Sequence, residues 1–150
     1  MRSGLYNLEV MKNKTVTQLK KVLWKEFSRF IRLRDAIRTT GNTKSLLCIT
    51  CKSLVDIKSA DAGHGITRGE SSTLFDERNV HGQCKRCNMR GGEQYLYMIE
   101  VDKIYGEGTA EELQRLRHET KKFSRPELIE MIEHYKQRIK EIDENFGSPW

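Results

Sequence analysis

A chain of 150 residues, 37% hydrophobic and 32% charged, has room for one domain with a modest core. No apolar run reaches the length of a bilayer, and residues 1–5 lack the apolar stretch of a signal peptide, which argues against a membrane span and points to the cytoplasm. The net charge is +6, but residues 1–47 alone carry 11 Lys/Arg against 3 Asp/Glu. Such asymmetry suits either a polyanion partner, commonly nucleic acid, or a solvated basic helix face.

In chain order, residues 15–38 predict a long amphipathic helix. Thr15 with Gln18 forms a capping box, and Leu19, Leu23, Phe27 and Phe30 recur at helical steps as one apolar stripe. Lys21, Lys25, Arg29 and Arg32 follow the same steps, so a second stripe lies beside the first and could meet phosphates. Gly41 or Asn42 suits the left-handed end of the helix. Residues 48–92 lack helical periodicity and are rich in Gly, Cys and His. Beyond residue 93 helices return. Tyr95, Leu96, Ile99 and Ile104 are spaced as the apolar side of one. Thr109 with Glu112 opens a second, and Ser124 with Glu127 opens the last, with Pro126 in its first turn. Leu128, Ile132, Tyr135 and Ile139 form the buried side of that last helix, and residues 147–150 read as a frayed tail. His118 and His134 fall in these carboxy-terminal patterns as structural or exposed side chains.

Cys48-Ile-Thr-Cys51 and Cys84-Lys-Arg-Cys87 are two pairs of identical spacing, 32 residues apart. In a reducing compartment they read as the two knuckles of a tetrahedral, structural zinc site, which would also cross-link distant segments of a small core. Asp61-Ala-Gly-His64, then Arg78-Asn79-Val-His81, then Asn88 directly after Cys87 lie between and beside the knuckles. This run resembles the HNH nuclease motif set in a zinc-knuckle scaffold.

That resemblance implies an α+β fold, a small ββα-metal core of treble-clef zinc type (48–92) flanked by a basic helical segment (1–47) and a carboxy-terminal helical segment (93–150). It implies a metal-dependent phosphodiester hydrolase in which His64 is the general base and Asn79 helps to orient it. Asp61 and Asn88 would hold a catalytic Mg2+ or Mn2+, with His81 as the substitute ligand. Neutral imidazole suits activation of water, and oxygen donors suit a hard cation. Gly63 stands where many HNH proteins place a metal ligand before the histidine, which leaves the reach of Asp61 open; Asp61 could instead cap a turn. Arg68, Lys85 and Arg86 are further phosphate-contact candidates or plain surface.

The segment from Leu23 to Ala36, Cys48-x-Thr50-Cys51, Asp61-Ala-Gly-His64, Arg68-Gly69, the words from Phe75 to His81, and Gln83-Cys84-Lys-Arg-Cys87-Asn88 are similar, in this order, to the NinG (Rap) recombination proteins of lambdoid phages. The chain departs from the family pattern at Lys52 (usually Gly), Thr67 and Gly82 (both usually Pro). The resemblance implies an endonuclease acting on branched DNA such as Holliday junctions, in the cytoplasm of a bacterial host. A homodimer, with the carboxy-terminal helices as its interface or as core cover, would supply paired cuts. The alternative function is a zinc-stapled DNA-binding or annealing factor without nuclease activity.

Overall fold

In a computed structural model, which describes residues 8–150, a single long helix organises everything else. Residues 1–5, over which a signal peptide is not expected, lie outside the described residues. Helix α1 (Val16–Thr40) starts at the expected capping box: the Thr15 hydroxyl accepts from the Gln18 backbone N–H, and the Gln18 side chain accepts from the Thr15 N–H. It ends where Gly41 adopts φ 76°, a left-handed cap that glycine adopts without steric cost. Leu19, Leu23, Phe27 and Phe30 are fully buried, as the stripe predicts.

The partner of that stripe is the last helix, α5 (Arg125–Phe146). Ser124 caps it by accepting from the Glu127 N–H, Pro126 sits in its first turn, and Leu128, Ile132, Tyr135 and Ile139 point into the core. Each such large side chain removed from water contributes about 1.5–3 kcal/mol before the entropy of ordering is subtracted. This face of α5 is therefore core cover.

Between these helices lie two short antiparallel hairpins. Strand β1 (Ser45–Leu47) pairs with β2 (Leu54–Asp56), and the first cysteine pair forms the turn between them. Strand β3 (Asp61–His64) pairs with β4 (Val80–Gln83), with Asp61 opposite Gln83 and His64 opposite Val80. Helix α2 (Lys85–Met89) follows β4 directly, and a 3-10 turn (Gly91–Glu93) leads into α3 (Gln94–Tyr105) and α4 (Thr109–Leu116). The molecule is thus a mixed α+β fold with two small sheets. Among the described residues, no helix is long and apolar enough to cross a membrane.

Three local expectations need correction. In α3 the buried residues are Tyr97 and Val101, while Tyr95, Leu96 and Ile99 are exposed; the helix is apolar on several sides, so spacing alone does not select the face. Helix α4 is capped by Gly108 with no side-chain cap bond, so Thr109 is already its first helical residue. The tail is docked, not frayed. Thr43 donates its hydroxyl to the Gly147 carbonyl (3.0 Å), and the Trp150 ring lies 5.1 Å and 4.9 Å from the Arg29 and Arg32 guanidinium carbons.

Helix α1 is tied to β4 by a buried ion cluster. The Asp35 carboxylate accepts from Arg34 Nε (2.9 Å), from Arg38 (3.0 Å) and from the Gly82 backbone N–H (2.8 Å), and His81 Nδ1 lies 3.2 Å away. Arg34 also donates to the carbonyls of Glu77 and Val80, both at 2.8 Å. Burial pushes the Asp35 carboxyl up, but Arg34, the bond with His81 and Arg38 outweigh it and hold the group well below the usual carboxylate range.

Candidate functional site

The four cysteine sulfurs converge. Cys48 and Cys51 come from the β1–β2 turn, Cys84 from the end of β4 and Cys87 from α2, and their Sγ atoms all lie within 4.8 Å of one another. Thiolates arranged tetrahedrally about 2.3 Å from a zinc ion stand about 3.8 Å apart. Cys51 and Cys84 are separated by 3.8 Å, so the four can hold one zinc ion. The turn explains why glycine suits the position after Cys51: Lys52 has φ 61°, the left-handed region. Its Nζ donates to the Ile49 carbonyl (2.8 Å) and to Glu100 (2.6 Å), tying the knuckle to α3.

The hairpin β3–β4 and helix α2, fastened at one end by the second knuckle, carry the other candidates. His64 ends β3. Its Nε2 lies 3.0 Å from the Leu74 carbonyl oxygen. A carbonyl only accepts, so Nε2 carries the proton and Nδ1 is the free acceptor of a neutral ring. Burial, opposed by the Leu74 bond and aided by the charge of Arg68, brings the imidazole down to about 4. His64 is therefore neutral at physiological pH, and it lines a cleft with Arg68, Asn88 and Gln94.

That cleft continues into a polar depression of about 410 Å3 bordered by Trp24, Ser28 and Arg32 of α1, Lys58, Asp61, Arg68, Lys85 and Asn88. Four cations and one carboxylate face this space. Asp61 accepts from Lys85 Nζ (3.0 Å) and from Asn88 Nδ2 (3.0 Å), so the two expected oxygen ligands are adjacent. Gly63 explains why the nearest carboxylate on β3, Asp61, stands three residues before His64 and not directly before it. A Cβ at position 63 would lie 1.9 Å from the Gln83 amide oxygen and 3.1 Å from Asn88 Oδ1, so no side chain fits there.

Asn79 does not touch His64. It is fully buried and clamps the loop that follows β3, accepting from the Ile66 N–H (2.6 Å) and donating to the carbonyls of Ile66 (3.0 Å) and Thr73 (3.1 Å). The Leu74 carbonyl that holds His64 is the next one along, so Asn79 orients the imidazole only through this loop. His81 is no substitute ligand. It is fully buried in the Asp35 cluster, its Nε2–H donates to the Arg78 carbonyl (3.1 Å), and Nδ1 lies 3.0 Å from Arg34. Burial lowers its pKa in spite of Asp35, and it borders neither part of the cleft.

Of the expected phosphate contacts, Arg32, Arg68 and Lys85 border the cleft, Lys21, Lys25 and Arg86 are exposed outside it, and Arg29 lies against Trp150 and Glu26. Lys21, Lys25 and Arg29 are each one residue off the face of α1 that meets the cleft, which is Trp24, Ser28 and Arg32. Their spacing of four was legible, but a residue in a half-buried stripe carries no sign of which neighbour it meets.

Comparison with known proteins gives a consistent result. The family model described as "Bacteriophage Lambda NinG protein" matches residues 6–145. Protein ninG of Escherichia phage 933W is 31% identical over 115 residues, covering 75% of this chain and 52% of that protein. Protein ninG of Escherichia phage lambda and of Salmonella phage P22 are each 30% identical over the same length. The chain spans about half the length of these curated relatives. No solved structure matches it. The chain belongs to the bacteriophage lambda NinG family.

Proposed function

We propose that the chain is a metal-dependent DNA endonuclease of HNH type, acting on branched recombination intermediates. The observation that carries this reading is the state of His64, a neutral imidazole with Nε2–H committed to a carbonyl, in a cleft that opens beside a depression lined by four cations. The order β3, β4, α2, with His64 at the end of β3 and Asn88 on the helix, supports this reading, since it agrees with the ββα arrangement expected of such enzymes.

The donor set fits a hard divalent cation, since a carboxylate and an amide stand side by side at a polar, solvent-open cleft. Asp61 and Asn88 would hold Mg2+ or Mn2+, which when bound supplies positive charge to the phosphate and the leaving 3′ oxygen. Arg68, Arg32, Lys58 and Lys85 bind and orient the phosphodiester. His64 Nδ1 takes a proton from a water molecule, whose oxygen bonds to phosphorus as the bond to the 3′ oxygen breaks. The departing oxygen takes a proton from solvent, leaving 5′-phosphate and 3′-hydroxyl ends. Binding through several phosphates makes affinity fall steeply with salt.

Cleavage of a labelled four-way junction in Mg2+ tests the proposal. Wild type cuts, and His64→Ala loses cutting by about 10²–10⁴-fold while still binding. If wild type binds the junction without cutting, the reading as an annealing or binding factor replaces this one. Equal cutting by His64→Ala removes His64 as the base. A homodimer would bring two clefts to one junction; sedimentation of the protein-junction complex at two protomers per DNA is the expected result.

A further inference from the structure

The indole of Trp24 touches two groups from different segments of the chain. Its ring is stacked on the His64 imidazole, with centroids 5.1 Å apart and planes 27° from parallel. The Arg68 guanidinium lies 4.5 Å from the same indole. Trp24 is itself backed by Phe27, at 6.1 Å. Phe27 is fully buried and packs edge-on against Phe75 and Tyr135. The indole therefore stands on a helix anchored in the core, whereas His64 ends a short strand and Arg68 is exposed in the loop beyond it.

We infer that Trp24 is a positioning residue for the hydrolysis proposed above: its stack holds the plane of the His64 ring, and its cation-π contact holds Arg68 over the same cleft. The bond from Nε2 to the Leu74 carbonyl and the link to Cβ fix two points of the imidazole, and what they leave open is rotation of the ring plane about the line between them. A flat surface against its face removes this freedom, so Nδ1 keeps one direction. Arg68 would otherwise sample many rotamers from an exposed loop; the same indole selects those that reach the phosphate. One side chain thus sets the spacing between base and phosphate clamp, and misplacement by about 1 Å can cost on the order of 10²-fold in rate.

The test compares Trp24→Phe, which keeps an aromatic face, with Trp24→Leu, which keeps apolar bulk without one. On a labelled four-way junction in Mg2+, Trp24→Phe cuts close to the wild-type rate. Trp24→Leu loses at least about tenfold in kcat with little change in KM. The acid limb of its kcat/KM profile moves toward that of an ordinary histidine, because water reaches the ring; a merely structural role would leave that limb in place. A second readout needs no cleavage. With Trp150→Phe, Trp24 is the last tryptophan of the chain's two, and its emission falls as the stacked imidazole protonates; His64→Gln abolishes the change. Wild-type rate and profile in Trp24→Leu, or emission indifferent to His64, overturns the inference. A wild-type protein that cuts no DNA overturns the hydrolytic reading and this inference together, whereas an unaffected Trp24→Leu in a cutting enzyme removes this inference alone.

Discussion

Replacing Asp35 by alanine should be the most destabilising single polar substitution in the molecule. Asp35 is 1% exposed and holds Arg34, Arg38 and the Gly82 amide at 2.8–3.0 Å. Without the carboxylate, Arg34 keeps its charge inside the protein with its counter-ion gone, and the buried Gly82 N–H has no acceptor. Removing one partner of a buried ion pair costs about 3–5 kcal/mol, and an unpaired buried N–H about 1–3 kcal/mol, two penalties that overlap because one group causes both. A loss of about 4 kcal/mol is expected, against a total of about 5–15 kcal/mol for a domain of ordinary stability. Urea unfolding at pH 7 with zinc present, followed by circular dichroism, measures it as a shift in midpoint at constant slope. Asp35→Asn, which keeps an acceptor but loses the charge, should fall between wild type and alanine. As a reference, Glu144→Gln breaks the exposed Lys140–Glu144 pair, 3.9 Å apart, and should change stability by less than about 0.5 kcal/mol. A loss below about 1 kcal/mol for Asp35→Ala would refute the assignment of the cluster as the tie between α1 and β4.

Three further outcomes are expected. Cys84→Ser should lose bound zinc, measured by metal analysis, and lower the melting temperature, because the second knuckle holds both β4 and α2; unchanged zinc content refutes the four-cysteine site. His64 has a folded pKa of about 4, below the unfolded value of about 6.5, so between these values the unfolded chain binds more protons and stability rises with pH. The stability difference between wild type and His64→Gln should therefore shrink by about 1 kcal/mol from pH 7 to pH 5.5, and a difference that stays constant rejects the buried neutral ring. Gly63→Ala should cost about 1–3 kcal/mol in chemical unfolding, since the new Cβ meets the Gln83 amide, itself held by a 2.7 Å bond to Thr50. Wild-type stability there would mean that β3 and Gln83 shift apart freely.

Much of this architecture is local and therefore readable from sequence. The Thr15 box, the Gly41 cap, the Ser124 cap and the apolar stripes of α1 and α5 depend on residues three or four positions apart. The cysteine pairs announce their knuckles by spacing alone. What sequence could not give are choices made by distant partners. In α3 several apolar faces compete, and only Ile49, Ile66 and Leu113 packing on Tyr97 and Val101 decide the outcome. His81 looked like a ligand because its neighbours in sequence are chemical, whereas its neighbours in space are Asp35 and Arg34, more than 40 positions away. Trp150 meets Arg29 and Arg32 from the opposite end of the chain, so neither its docking nor the partial covering of those two cations could be foreseen.

The amide of Gly82 couples two positions that an alignment would treat separately. A proline at this position has no N–H to give, so Asp35 would forfeit its shortest bond; Leu46, 2.7 Å from the site of any new Cβ, would also be displaced. Substitution at this one residue would therefore be tolerated only when the carboxylate 47 positions earlier and the leucine beneath it change in step.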